Sequence, residues 1–147
     1  MIEQILPVVI GVLAASGMLV SIYMSLAALG IADPESTRLP AFCRLREGTC
    51  RTVLDAPQGR LAGIPNPVWG IGFYAIALAN ACARIWLGRY YAALPMLALV
   101  LGVLGFTVYL LYVLLRVIRV PCFPCFTAHA INFGIAAAYT ASLLLES

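Results

Sequence analysis

Cys122 and Cys125 stand in Pro121-Cys122-Phe123-Pro124-Cys125, where the uncharged run of residues 120–145 begins. A C-x-x-C pair can cycle between dithiol and disulfide within one helical turn, because residues three apart are neighbours on a helix face. The thiolate is the attacking species in disulfide exchange, and a helix N-terminus favours it over the thiol. Pro121 marks such a helix start. Cys125, one turn deeper, would face the apolar interior. A second pair, Cys43 and Cys50, lies in the longest polar segment of the chain. One pair at a membrane interface and one on a loop suggest a relay. Thiol electrons would pass from a soluble partner through the loop pair and the C-x-x-C pair into a lipid-soluble acceptor.

The same cysteines admit other readings. A C-x6-C and a C-x-x-C could bind zinc through four sulfurs, although structural zinc usually closes a small soluble fold. Membrane-helix cysteines are often only small apolar side chains, and Cys82 is read as one of these. Haem held between two histidines is excluded within this chain, since His129 is its only histidine.

The elements that must position these thiols follow from charge patterning. The chain has 147 residues, 63% hydrophobic and only 10% charged, too apolar for an ordinary soluble domain. Residues 4–32, 61–83, 90–115 and 120–145 carry no charge. Each run is long enough to cross the hydrocarbon core, which takes roughly 20 residues as a helix. The expected fold is therefore an all-α four-helix membrane bundle, one domain over 1–147. Its helices are expected at about 5–31, 67–83, 90–115 and 122–145, with a redox loop at about 33–66. The first run has no basic segment before it and is too long for a cleaved signal peptide, so it is read as a helix. Cys50-Arg51-Thr52-Val53-Leu54-Asp55 is expected as a short helix on the membrane surface. The net charge of +3 is too small and too dispersed to imply nucleic-acid binding.

Short connections favour up-down-up-down topology. The loop after the first helix and the turn after the third then share one side of the membrane. Alternation alone brings both cysteine pairs to the same compartment.

With these features in order, the chain resembles the prokaryotic homologues of vitamin K epoxide reductase. The matching residues are Cys43-x6-Cys50, Val53-Leu54, Gly63-Ile64-Pro65-Asn66-Pro67-Val68-Trp69-Gly70, and Cys122-Phe123-Pro124-Cys125-Phe126-Thr127-Ala128-His129-Ala130-Ile131-Asn132. The resemblance implies a thiol:quinone oxidoreductase that supports disulfide formation. A reduced thioredoxin-like partner or disulfide carrier would give electrons to the loop pair, with Cys43 as its contact. Cys50 would exchange with Cys122, the outer and more accessible thiol of its pair, and Cys125 would face the quinone (ubiquinone, menaquinone or a relative). Asn66 matches an asparagine that bonds the quinone carbonyl. His129 falls where some members have tyrosine, and Phe126 is expected beside the ring. No metal is expected.

Two departures from the family pattern stand out. Many relatives carry serine or threonine at the position of Ala56. Many bacterial members also carry a fused thioredoxin-like domain after the fourth helix, whereas this sequence ends at Ser147, so a separate partner protein is expected. The alternatives are vitamin K epoxide or quinone reduction proper, and a four-cysteine metal-binding subunit.

The arginines bear on orientation. Arg38, Arg44, Arg46, Arg51, Arg60, Arg116 and Arg119 lie on the cysteine side, and only Arg84 and Arg89 on the other. The positive-inside rule points the thiols of this multi-pass cell-membrane protein to the cytoplasm, whereas the resemblance implies the outside.

Overall fold

A computed structural model of the protein describes residues 1–31 and 50–147, with only the backbone of Cys50. Cys43, and with it most of the loop that follows the first helix, lies outside the described residues. Four helices are long and apolar enough to span a membrane, in agreement with the expected four-helix bundle. Helix α1 covers Ile2–Ala28 and α3 covers Asn66–Leu87. Helix α4 covers Ala93–Tyr112 and runs on as a π-helical segment, Val113–Ile118. Helix α5 covers Phe123–Glu146. Before α3 comes a small cap. It consists of the short helix α2 at Cys50–Asp55, a 3-10 turn at Pro57–Gly59 and a two-residue hairpin, β1 Arg60–Leu61 against β2 Ile64–Pro65.

The helix ends depart from their expected places for local reasons. Apolarity alone carries the first helix to Ile31, but Gly30 adopts φ +73°. The Ile31 N–H reaches back to the Leu26 carbonyl at 2.9 Å and the Gly30 N–H to the Ala27 carbonyl at 3.2 Å. This is the Schellman stop, which glycine permits without strain. Helix α3 runs past Arg84 to Leu87 and ends at Gly88, whose φ is also +73°. Arg84 does not break it, because its side chain finds a partner in Glu146 at the end of α5. Tyr90, expected inside the third helix, lies before it and turns into the bundle. Its hydroxyl pairs with Ser142 Oγ at 2.7 Å, and its ring meets Tyr139 edge-on at 4.9 Å. Burial pushes the Tyr90 hydroxyl above its ordinary pKa, so it stays a neutral hydrogen-bonding group at physiological pH. These contacts fasten the end of the bundle remote from Cys122.

Close approach of α1 and α3 forms the centre. At Gly17 a Cβ would lie 2.5 Å from the Tyr74 ring, and at Gly70 one would lie 2.8 Å from Ser21 Oγ. Small residues at such crossings let backbones approach in lipid, where packing rather than the hydrophobic effect holds helices together. Ile10, Ala14, Phe73, Tyr74, Ala77, Ile135 and Tyr139 fill this core. A second cluster of Met24, Ala27, Leu54, Leu114, Cys122 and Cys125 lies at the cysteine end.

Candidate functional site

Cys122 is the N-cap of α5, in extended conformation (φ −135°, ψ 95°), and the helix proper begins at Phe123 with Pro124 in its first turn. The Phe126 N–H closes the first turn on the Cys122 carbonyl at 3.0 Å. A disulfide joins Cys122 to Cys125, with Cα atoms 5.2 Å apart. The C-x-x-C spacing across the cap allows the bond without disturbing α5.

Burial of the pair differs from the sequence expectation. Cys122, read there as the more accessible thiol, is 0% exposed, and Cys125 is 8% exposed. Met24 and Ala27 from α1, Leu54 from α2 and Leu114 from the π-helical segment enclose them. Cys50 precedes Leu54 by four residues on α2, so the backbone that carries one loop cysteine packs through Leu54 against the buried pair.

Cys125 opens instead onto a partly open cavity of ≈ 170 Å³, which Asn66 and His129 also line. Phe126 does not line it; its ring is 38% exposed on the outside of the bundle. Apolar walls come from Leu54 of the cap, Phe73 of α3, and Phe106, Leu110 and Val113 from α4 and its π-helical end. An apolar cavity of about 150 Å³ admits a benzene ring, so this partly open one has room for the ring of a quinone head group. Val113–Ile118 departs from the expected regular helix. Such π segments often occur at functional sites, and here Val113, Leu114 and Ile118 bring three apolar side chains to the cavity.

The polar groups of the cavity fall into two sets. The deeper set is a chain across three helices. The Tyr74 hydroxyl donates to Asn132 Oδ1 at 2.7 Å, and Asn132 Nδ2 donates to Thr107 Oγ1 at 2.8 Å. All three residues line the cavity, and sequence reasoning assigned none of them a role. The signal was available: Cys125, His129 and Asn132 fall at i, i+4 and i+7, one face of a helix. Tyr74 follows Asn66 by eight residues, close to the same face.

The outer set is incompletely bonded. Asn66, the first residue of α3, donates from Nδ2 to the Gln58 carbonyl at 2.8 Å, while its Oδ1 is buried without a partner among the described residues. His129 Nδ1 is likewise buried and has no partner among the described residues. A buried polar atom without a bond is costly in lipid, and two of them beside one cavity fit a ligand with polar ends. The turn that offers the Gln58 carbonyl requires Gly59, where a Cβ would lie 2.4 Å from the Val53 carbonyl oxygen. Trp69 Nε1 donates to the Leu61 carbonyl at 3.1 Å and ties the hairpin to α3. Cys82 is free and exposed on α3, away from the cavity. Among the described residues no three His, Cys, Asp or Glu side chains group to hold a metal ion.

Two comparisons bear on this arrangement. The model of the Vitamin K epoxide reductase family matches residues 8–140. Among curated proteins, none matches the sequence.

Proposed function

We propose that this chain, which belongs to the vitamin K epoxide reductase family, uses its membership to oxidise the thiols of a soluble carrier at the expense of a membrane quinone. The family makes it a membrane thiol–disulfide and quinone oxidoreductase. The finer reading concerns which groups act. One observation carries it: of the two bonded cysteines, Cys125 lines the apolar cavity with Asn66 and His129 while Cys122 lies behind it against the cap.

The order of events is the one that resemblance to the family implies, and the placement of Cys125 supports its last step. A thioredoxin-like carrier with two thiols reduces the Cys43–Cys50 pair and is itself released as a disulfide. Cys50 as thiolate attacks Cys122, breaks the Cys122–Cys125 bond and frees Cys125. A second thiol from the loop pair resolves the mixed disulfide and leaves Cys122 and Cys125 reduced. The two thiols then return to a disulfide, and their two electrons and two protons leave with the acceptor as a quinol. Each step exchanges one sulfur–sulfur bond for another until the last, where the quinone is the oxidant. Cys125 meets the ring, Phe73, Phe106 and Leu110 exclude water, and His129 and Asn66 hold the ring oxygens. Trp69, 48% exposed, and the half-buried Phe106 stand on the cavity's α3 and α4 walls. Their partial exposure on membrane-length helices suits an acceptor that diffuses in the bilayer.

The test is turnover. The protein in nanodiscs is mixed with a dithiol and a ubiquinone or menaquinone analogue, and quinone absorbance is followed. Loss of absorbance that stops with Cys125→Ala supports the reading. Stoichiometric zinc without turnover would replace it with a metal site. Turnover with vitamin K epoxide but not with quinone would make the protein an epoxide reductase proper.

A further inference from the structure

The unmet hydrogen-bonding demand at Asn66 is for a donor. A carbonyl accepts only, so the 2.8 Å contact with the Gln58 carbonyl identifies the amide nitrogen as the atom on that side. The oxygen is then the atom left buried and alone. Resemblance casts Asn66 as a donor to a quinone carbonyl, and the geometry adds an opposite requirement. A quinone has no hydroxyl and cannot satisfy Oδ1. A quinol has one at each end of its ring. The second N–H of Nδ2 serves either form equally, so the oxygen alone tells them apart. His129, as a neutral imidazole, can donate from one nitrogen and accept at the other, so it adapts to either form.

We infer that the cavity binds the reduced quinol more tightly than the quinone, and that Asn66, held by the Gln58 carbonyl, is the residue that sets this preference. The inference rests on the reading of the cavity as a quinone site. Its consequence is redox bias. A site that favours the reduced form makes the bound quinone a stronger oxidant than the free one, which draws electrons from Cys122 and Cys125. One net hydrogen bond corresponds to about 2- to 13-fold in affinity. A tenfold preference raises the midpoint of a two-electron couple by about 30 mV.

The experiment uses the full chain in nanodiscs with Cys122→Ser and Cys125→Ser, which stops turnover. Menadione and menadiol are titrated separately without oxygen, and the two dissociation constants are compared. Menadiol should bind about 2- to 13-fold more tightly. Asn66→Leu should abolish the difference by weakening menadiol more than menadione, since both forms lose the Nδ2 donor and only menadiol loses the Oδ1 acceptor. Menadione binding as tightly as menadiol in the Asn66 parent overturns the inference and leaves the quinone site standing. A difference that survives Asn66→Leu also overturns it, by removing Asn66 from the preference. Failure of both forms to bind the parent overturns the quinone reading itself and the inference with it.

Discussion

Replacing Tyr74 by phenylalanine removes one oxygen and leaves the ring, which packs against α1 at Gly17. The lost hydroxyl donates to Asn132 Oδ1 at 2.7 Å and also lies 3.4 Å from the Ala128 carbonyl. Asn132 keeps its bond to Thr107 at 2.8 Å, but its Oδ1 is left without a donor. In a water-soluble core such an orphaned acceptor costs about 1–3 kcal/mol. The bilayer changes the reference state, since separated helices in lipid also lack water and find partial partners. Hydrogen bonds between membrane helices accordingly average about 0.6 kcal/mol, with a maximum near 1.7. The lower range applies here. Asn132→Leu leaves the Tyr74 hydroxyl able to fall back on Ala128, and the Thr107 hydroxyl free to bond its own helix, which keeps the coupling inside that range. The assay is a double-mutant cycle of Tyr74→Phe and Asn132→Leu, read from unfolding of the bundle in mixed micelles. A coupling of about 0.6–1.7 kcal/mol is expected. Strictly additive effects, within about 0.3 kcal/mol, would refute the hydrogen bond as a fastening between α3 and α5.

Other expectations follow from the site. His129→Ala should weaken apparent quinone affinity about 2- to 13-fold, one net hydrogen bond, while thermal unfolding of the bundle changes little; unchanged steady-state kinetics would remove the imidazole from the site. With Cys43 and Cys125 both replaced by alanine, oxidation should trap a Cys50–Cys122 bond, although Cys122 is enclosed, because α2 already packs against it through Leu54. Only unlinked thiols in mass spectra would count against that relay. Gly59→Ala should displace the Pro57–Gly59 turn, since its Cβ would meet the Val53 carbonyl at 2.4 Å, and so lower quinone turnover; full turnover would show that the cap tolerates the shift. Under the positive-inside rule the arginine bias predicts thiols on the cytoplasmic side, and a membrane-impermeant thiol reagent applied to intact cells after mild reduction should then leave Cys43 unlabelled. Efficient labelling without permeabilisation would show that the site faces outward.

Charge and apolarity are summed over whole helices, so the four membrane-length helices were legible in the sequence alone. No local detail can undo four uncharged runs of that length. The order of its motifs also pointed to the family, and it marked Asn66, Cys125 and His129, which the fold brings to one cavity. What it left open depends on which atoms meet. Helix ends turned on single glycines, Gly30 and Gly88, whose positive φ apolarity does not register. Phe126 stands between Cys125 and His129 in the chain, yet a helix turns its ring about 100° per residue, and it faces outward. Cys122 is buried because Leu54 and Met24, distant in sequence, close over it. The Tyr74–Asn132–Thr107 chain joins three helices, and only their relative depth and rotation decide that those polar groups meet. The free atom of Asn66 is its oxygen only because the Gln58 carbonyl, eight residues earlier, takes its nitrogen.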